Sequence, residues 1–495
     1  MHLKHLTPLF SPPGRRPLSV VAMAVLLALA GCADMSGIDP HAPLRQPDSL
    51  GLPAASTAVK LPSPVASDWW RAWGDPQLDR LVQQALQDNP SLQIAQTRLA
   101  RALAVTDVAD AALLPQVNGA FDATRQRYTR NGAIPAPLAG TIRESGTLQL
   151  SASWELDFFG KYRSALDAAL GTAQAAEADA QAARVLLSAN VVRSYTQLVR
   201  LQEQLGVAER TLAQRQETLV LVQDRVKAGL DTRLELHQSE GGLPEARQQI
   251  EALKEQMALT RNALGALVGA PQATQGIQVP ALAALRPAPL PTEIPANLLG
   301  QRADIAAARW RVEAAGKDVV NAKTQFYPNV NLVAFAGFSS IGLGRLLESG
   351  SQQWGVGPAL RLPIFEGGRL RAQLRTKTAD LDAAVESYNA SVLDAVRDVA
   401  DQVASSQSIR KQQTEQRQAQ SAAEGAYAIA VQRYQAGLGN YLQVLTAEST
   451  VLAQRRQSVD LAARALDVQV GLARALGGGY VPTPSPSPSR MTAGE

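Results

Sequence analysis

Two parts of the chain carry the same sequence pattern, and this duplication limits the possible folds more than any other feature. Arg225–Leu230 reads RVKAGL, and the same arrangement returns at Arg433–Leu438 as RYQAGL. Leu114–Asn118 is matched in the same way by Tyr327–Asn331. The two matches have different offsets, which indicates loops of unequal length between the repeated elements. A long-period repeat predicts that one supersecondary unit occurs twice and that the copies pack together.

Each copy is predicted to begin with a helix, followed by two strands and a long helical hairpin. In the first copy Asp75 suits the cap of a helix that starts at Pro76, and Asn89 restarts the helix, which runs to about Leu113. The counterpart in the second copy runs from about Ala303 to Phe326 and ends before Pro328, because the residue before a proline favours extended geometry.

The hairpin helices are unusually long. Segments from about Tyr162 to Lys227 and from about Arg369 to Gln435 contain no proline and are rich in alanine, glutamine and arginine. At about 1.5 Å per residue, each would form a helix of roughly 100 Å. The return helices carry apolar residues at seven-residue spacing, which predicts coiled-coil packing. These positions are Leu236, Leu243, Ile250, Met257 and Leu264, and Leu445, Leu452, Val459 and Leu466.

The two return helices differ at one place. Gly241-Gly242-Leu243-Pro244 interrupts the first return helix, where the second copy has Ser449-Thr450-Val451-Leu452. Proline removes a helical hydrogen bond and clashes with the preceding turn. The sequence therefore predicts a kink, or a late helix start, in the first copy alone.

The predicted strands have one apolar and one polar face. Residues 148–157 alternate strictly, and Val330–Phe338 has a second apolar face, although Val333 and Phe335 interrupt its polar side. The fourth candidate strand is expected to have Trp354, Val356, Leu360 and Leu362 facing outward. This pattern is typical of strands between lipid and water, although periodicity leaves a small half-buried soluble sheet open as an alternative. Because four strands cannot close a membrane barrel, spanning would require several chains to share one.

The N-terminus has the layout of a secretory signal. Residues 1–31 combine basic residues with a short apolar run from Val20 to Ala30, too short to span a bilayer. Cys32 is the single cysteine, so no disulfide framework can form, and Leu29-Ala30-Gly31-Cys32 resembles the lipobox of bacterial lipoproteins. Removal of the signal leaves basic and acidic residues nearly balanced, which argues against nucleic acid as a partner.

Enzyme signatures are missing from the sequence. His237 is the one histidine expected in a structured region, so no histidine cluster for a metal and no catalytic triad can be assembled. Phosphate-loop and dinucleotide motifs are also absent, and we expect no cofactor and no catalysis. A lipid-anchored periplasmic coiled-coil adaptor or scaffold is the alternative function, although it gives no reason for a duplication with four alternating strands.

Several segments resemble the TolC-like outer-membrane efflux proteins (outer membrane factors), in particular their OprM-like, NodT-type lipoprotein branch. They are the lipobox, Asp68–Leu78, Trp154–Lys161, Pro363–Arg371, and Arg302-Ala303-Asp304-Ile305, in which alanine stands where the family has proline. The resemblance covers nearly all of the mature chain. It implies an α+β membrane protein, a homotrimer whose four strands per chain close a twelve-stranded β-barrel that continues into a long α-helical coiled-coil barrel.

The resemblance also implies the function and its partners. Such a trimer would sit in outer-membrane lipid, anchored through Cys32, and extend into the periplasm. It would passively conduct substrates received from a periplasmic adaptor (membrane fusion protein) and an inner-membrane transporter of the RND type. From the residues themselves, Trp154, Phe158, Phe159 and Tyr162, with Trp354 of the fourth strand, are expected to form an interfacial aromatic belt.

The family further implies a gate at the periplasmic end. The hairpin turns there would lie at Gly229 and Gly437. Acidic and hydrogen-bonding side chains often line such a gate six residues after the turn glycine, which corresponds to Glu235 and Gln443 in this chain. The expected gate residues are Asp231, Glu235, Tyr441 and Gln443.

These expectations divide the chain into six segments. They are a signal peptide (1–31), a lipidated linker (32–75), the first repeat (76–269), a linker rich in proline and alanine (270–297), the second repeat (298–476) and a disordered proline-rich tail (477–495).

Overall fold

The computed structural model describes residues 34–45, 65–287 and 301–480. Cys32 and the signal segment lie outside the described residues, as do 481–495 of the expected tail. The elements follow in the predicted order, once in each half. The first half contains α1 (Pro76–Asp88), α2 (Pro90–Ala111), β1 (Gln116–Arg127), β2 (Ile142–Leu156), α3 (Lys161–Lys227) and α4 (Arg233–Val268). The second half contains α5 (Ala303–Thr324), β3 (Asn329–Ile341), β4 (Gln352–Arg361), α6 (Arg369–Gln435) and α7 (Tyr441–Ala475).

The predicted helix starts in the first half are confirmed. The Asp75 carboxylate accepts a hydrogen bond from the backbone N–H of Gln77 at 2.8 Å, and Pro76 is the first helical residue. Asn89 interrupts the helix and caps α2 by accepting from the N–H of Ser91 at 2.8 Å. The Asn89 amide also donates to the carbonyl of Leu267 at 2.8 Å, so this break is tied to the end of α4.

The long helices are also confirmed, since α3 and α6 each contain 67 residues. A late start of the first return helix is wrong: α4 begins at Arg233 and continues through Pro244. The helix begins early because Thr232 and Glu235 form a capping box, which satisfies N–H groups at the first turn. No helix within 34–45, 65–287 and 301–480 is long and apolar enough to cross a membrane.

Compact packing divides the chain into two units that do not follow the two sequence copies. Among the described residues, one unit, here the sheet unit, contains 34–42, 102–172 and 311–385, and the other, the helical unit, contains 43–45, 65–101, 173–287, 301–310 and 386–480. Each unit therefore takes segments from both copies. The repeat in the sequence is a repeat of element order and not of separately folded domains.

The sheet unit contains one antiparallel sheet with strand order β1-β2-β3-β4. Leu148 pairs with Phe338 and Trp154 pairs with Leu332, which places the alternating apolar side chains on one face. Gln149, Ser151 and their neighbours form the other face, where Val333 and Phe335 lie opposite Ser153 and Ser151. Among the described residues β1 and β4 are the edge strands, each paired on one side.

An N-terminal segment lies along the first part of α6 in the sheet unit. The Arg371 guanidinium donates to the carbonyls of Asp34 and Ser36 at 2.8 and 3.1 Å. The Asp382 carboxylate accepts from the backbone N–H groups of His41 and Ala42 at 2.9 and 3.0 Å. Ile38, between these contacts, is buried in a small apolar cluster. Both ends and the middle of Asp34–Ala42 are therefore fixed.

The core of the helical unit forms around a tryptophan-rich turn, Trp69–Trp73, that precedes α1. Tyr195 of α3 is fully buried there, and its hydroxyl donates to the Asp75 carboxylate. The expected linker contributes Leu285 to this core, and Gln77 exchanges hydrogen bonds with the backbone of Gln278. Residues 477–480 form a turn after α7, so an extended tail can begin only beyond them.

Candidate functional site

The candidate site is the pair of hairpin turns in the helical unit. Both turns have the same backbone geometry, with φ of 73° at Gly229 and 72° at Gly437. The N–H of the following leucine, Leu230 or Leu438, donates to a carbonyl of the last helical turn at 2.8 Å in each case. A positive φ at this position favours glycine, which explains why the motif repeats with glycine in both copies.

Each return helix starts with its own cap. Asn440 caps α7 by accepting from the N–H of Gln443 at 3.0 Å, while Thr232 and Glu235 cap α4. The Glu235 carboxylate accepts from the N–H of Thr232 at 2.9 Å and from its hydroxyl. The Thr232 hydroxyl contributes most to lowering the pKa of Glu235. This side chain is thus engaged in starting its helix.

A partly buried ionic cluster joins the two hairpins. The Arg225 guanidinium of α3 lies 2.9 Å from the Asp231 carboxylate, and the Tyr434 hydroxyl of α6 donates to the same carboxylate. Arg225 also donates to the carbonyl of Tyr434 at 2.9 Å, and its guanidinium carbon lies 4.6 Å from the centroid of the Tyr434 ring. Asp231 therefore links the turn of the first hairpin to a helix of the second.

The electrostatics of Asp231 follow from these partners. Burial alone would raise the pKa of Asp231, but the hydrogen bonds from Arg225 and Tyr434, together with the Arg225 charge, lower it overall. Burial and the hydrogen bond to Asp231 raise the pKa of Tyr434, so its hydroxyl stays protonated and continues to donate. The cluster is consequently a stable arrangement of one anion with two donors at neutral pH.

The other expected gate residues occupy different surroundings. Tyr441 is buried, and its ring centroid lies 5.7 Å from that of Tyr434, in an apolar cluster that includes Val222 and Val444. Gln443 is exposed in a groove lined by small side chains of α6 and α7. The structure thus brings Asp231 and Tyr441 to the Tyr434 cluster, while Glu235 and Gln443 lie on the starts of the return helices.

Sequence reasoning missed Arg225 and Tyr434. The repeated motif contains both residues but does not indicate that they contact Asp231. The useful signal lies in the differences between the copies, because Tyr434 stands where the first copy has Val226, and Asp231 stands where the second has Gly439. Tyr434 occurs only in the second copy and Asp231 only in the first, and the two side chains form a hydrogen bond with each other.

The expected interfacial aromatics all lie in the sheet unit. Trp154 and Trp354 project from the apolar face, with Trp354 78% exposed and the Trp154 indole donating to the carbonyl of Leu113 at 2.9 Å. Phe158 and Phe159 follow the end of β2, and Phe159 stacks on Tyr327 at 4.9 Å between ring centroids. Exposed aromatics beside an apolar sheet face are typical of a membrane interface.

Comparison with known proteins identifies the family of this chain. The model of the outer membrane efflux protein family matches residues 81–270 and 294–478, one interval in each half. The fusaric acid resistance protein FusA of Burkholderia cepacia is 39% identical over 374 residues, which cover 74% of this chain and 71% of that protein. The pyoverdine export outer membrane protein OpmQ of Pseudomonas putida is 32% identical over 467 residues, 94% of this chain and 98% of that protein.

Solved structures agree in fold. The outer membrane protein VceC of Vibrio cholerae has a TM-score of 0.80 and 36% identity, covering 84% of this chain and all of that chain. The outer-membrane channel OprN has a TM-score of 0.81 and 28% identity, covering 90% and 99%. An outer-membrane location, an efflux-channel function and the α+β fold with four strands per chain are confirmed, against the adaptor or scaffold alternative. The chain belongs to the outer membrane efflux protein family, which is a family of transport channels and not of enzymes.

Proposed function

We propose that three copies of this chain close one channel through their sheets. The observation that carries this proposal is the open sheet: among the described residues β1 and β4 each lack a partner on one side, and an exposed apolar face runs across all four strands. Open edges in lipid leave backbone polar groups unsatisfied, so the edges of neighbouring copies must pair. Twelve strands would then surround water with the face that carries Asn118, Asp122, Gln149 and Ser151.

The anchor and partners complete the proposal. Cys32 in its lipobox is the proposed acylation site, and several acyl chains would hold the protein stably at a bilayer. A periplasmic adaptor and an inner-membrane transporter of the RND type would dock at the hairpin turns and deliver the cargo. The relatives named for resistance to fusaric acid and for pyoverdine export support small organic molecules as the cargo class.

The Asp231 cluster is the proposed periplasmic gate. In this proposal the contacts of Asp231 with Arg225 and Tyr434 favour hairpins that stay together, and binding of the adaptor favours hairpins that separate. Gating is then a population shift between the two states. Tyr441 supports the cluster by packing, whereas Glu235 and Gln443 act by fixing the helix starts beside it.

The test is biochemical and electrical. The protein expressed with its signal should fractionate with the outer membrane, migrate as a heat-modifiable trimer and conduct ions in a planar bilayer. A Cys32→Ala variant should remain a trimer but lose the acyl chains detected by mass spectrometry. A monomer without conductance, released into the soluble fraction after loss of Cys32, would contradict the channel.

A further inference from the structure

The Gly241–Pro244 segment within α4 is a feature that the gate does not explain. Gly241, Gly242 and Pro244 lie within a helix that continues on both sides, and α7 has serine, threonine and leucine at the corresponding places. Proline has no N–H, so the carbonyl of Glu240 cannot receive the usual hydrogen bond four residues on. Two adjacent glycines weaken the same turn further, because glycine has high backbone freedom. This turn is therefore intrinsically the weakest point of the helix.

The glycines are not required for space. A Cβ at Gly241 would have nothing within 4 Å, and a Cβ at Gly242 would make only ordinary contact, 3.5 Å from the Arg215 side chain. Neither position has a positive φ. These glycines therefore contribute backbone flexibility, and no neighbouring side chain requires the absence of a Cβ atom.

One side chain holds the weak turn in place. Arg215 of α3 donates to the carbonyl of Gly242 at 2.7 Å and to the Glu245 carboxylate at 2.9 Å, on either side of Pro244. Its Nε donates to the Glu448 carboxylate of α7 at 3.2 Å. The Arg215 side chain is 19% exposed and that of Glu448 is 10% exposed. Arg215 thus joins the weak turn to the second hairpin.

The copies also differ at the positions that make this contact. Arg215 corresponds to Ala423 in the second copy, and Glu448 corresponds to Glu240 in the first. Glu240 is exposed and pairs with His237. The arginine and the Gly-Gly-x-Pro segment therefore occur together, in the first hairpin alone.

The surroundings leave room for movement. A cavity of about 280 Å³ lies beside the turn, lined among others by Ser239, Gly242, Tyr427 and Tyr441. Protein interiors are closely packed with few such spaces, so this turn has less packing to resist its movement than a fully packed helix has. The weak turn, its arginine and the cavity lie together in the helical unit.

From these contacts we infer that Gly241–Pro244 is a hinge and Arg215 is its latch. The hinge lets the start of α4, Arg233–Glu240, bend with its turn when the channel opens. The latch holds the unbent form by joining Gly242 and Glu245 to Glu448. The inference rests on the proposed gating at the hairpin turns, but it concerns different residues from the Asp231 cluster.

The test replaces the hinge by the sequence of the other copy. The triple variant Gly241→Ser, Gly242→Thr, Pro244→Leu reproduces the residues of α7 at these positions. In an Asp231→Asn background, where the gate contacts are weakened, we expect this graft to lower the open probability in planar bilayers about tenfold. Arg215→Ala should act in the opposite direction and raise the open probability. General damage to the helix would move both variants the same way.

A distance measurement gives a second readout. Spin labels at Leu230 and Leu438, both exposed, report the separation of the two turns within one chain when labelled chains are diluted into unlabelled ones. We expect a broader distribution for Arg215→Ala and a narrower one for the graft. Glu448→Gln should resemble Arg215→Ala, and Glu240→Gln, its counterpart in the repeat, should resemble the wild type.

Two outcomes separate the hinge from the channel. If the Asp231→Asn trimer conducts but neither the graft nor Arg215→Ala changes its open probability or the distances, the hinge is wrong and the channel stands. If no trimer conducts, the channel assignment itself fails. The hinge would still stand as a property of the fold if the distance distribution broadens in Arg215→Ala and narrows in the graft.

Discussion

At the scale of single residues, one carboxylate links the first hairpin turn to a helix of the second hairpin. Asp231 is held by an arginine of its own hairpin and a tyrosine of the other, in surroundings largely shielded from water. Charge-assisted hydrogen bonds of this kind contribute more than exposed ion pairs, because water competes less for the partners. Replacing this acid therefore tests the gate more directly than replacing any exposed charge nearby.

Asp231→Asn should open the channel. The amide loses the negative charge that Arg225 compensates, and we expect the open probability to rise about tenfold, the factor that about 1.4 kcal/mol gives. Single-channel recording measures this. Asp224→Asn is the matched control, because Asp224 lies in the last turn of α3, close to the hairpin turn, and pairs with Lys227 in an exposed position. Equal effects of both variants would remove Asp231 from the gate.

The pH dependence follows from the lowered pKa of Asp231. A paired Asp231 binds protons more weakly than an unpaired one, so its contribution to closure is fully present above the ordinary carboxyl pKa and is lost as the pH falls through the lowered value. We expect an unchanged open probability from pH 8 down to about 5, and a rise only below about pH 4. An increase near pH 6 would indicate another group.

Glu235 is expected to act on the gate through the helix cap and not through an ion pair like that of Asp231. Glu235→Ala should loosen the closed pore, because it removes the reciprocal half of the capping box and frees the first turn of α4. Glu235→Gln can still accept from the N–H of Thr232, so it should behave like the wild type. Unchanged single-channel conductance and open probability for the alanine variant would argue against a role of Glu235 in the gate.

At the scale of elements, sequence periodicity predicted the helices well and the strands less fully. The long helices were predictable because proline-free segments end at Gly229 and Gly437. β2 starts at Ile142, earlier than the alternation that begins at Leu148, because Gly146 and the polar residues around it pair with β3 and β1 without an apolar pattern. Register is a property of the partner strands, so a single segment cannot display it.

The path of α4 through Pro244 was not predictable for a similar reason. Proline and two glycines favour an end or a kink when only local preferences are considered. The contacts that keep the helix continuous come from Arg215, which lies on another helix, and from the capping box at its start. The cross-hairpin contact of Tyr434 with Asp231 was invisible for the same reason.

A glycine in the sheet allows a test at this scale. A Cβ at Gly337 of β3 would lie 2.1 Å from the carbonyl oxygen of Leu148, in the backbone of β2, and this approach is too close to relieve by rotating a side chain. We expect Gly337→Ala to reduce the yield of heat-modifiable trimer severalfold on gels. Gly357→Ala in neighbouring β4 meets nothing within 4 Å and should assemble normally.

At the scale of the whole molecule, the two faces of the sheet have different solvents in the proposed trimer. Phe121→Arg places a charge on the apolar face of β1, which costs about 2–4 kcal/mol near the middle of a bilayer. Ala120→Arg places the same charge on the opposite face, toward water. We expect the first variant to lose outer-membrane trimers and the second to keep them. Equal assembly of both would contradict a lipid-facing surface.

The segment Asp34–Ala42 bears on how the molecule is held at its membrane. Arg371 donates a hydrogen bond to the carbonyl of Asp34, two residues after Cys32, so acyl chains on that cysteine would be attached within two residues of a fixed point. In the proposed lipoprotein, this short connection would hold the start of α6 close to the lipid headgroups. Acylation would then fix the position of α6 relative to the membrane surface as well as anchor the protein.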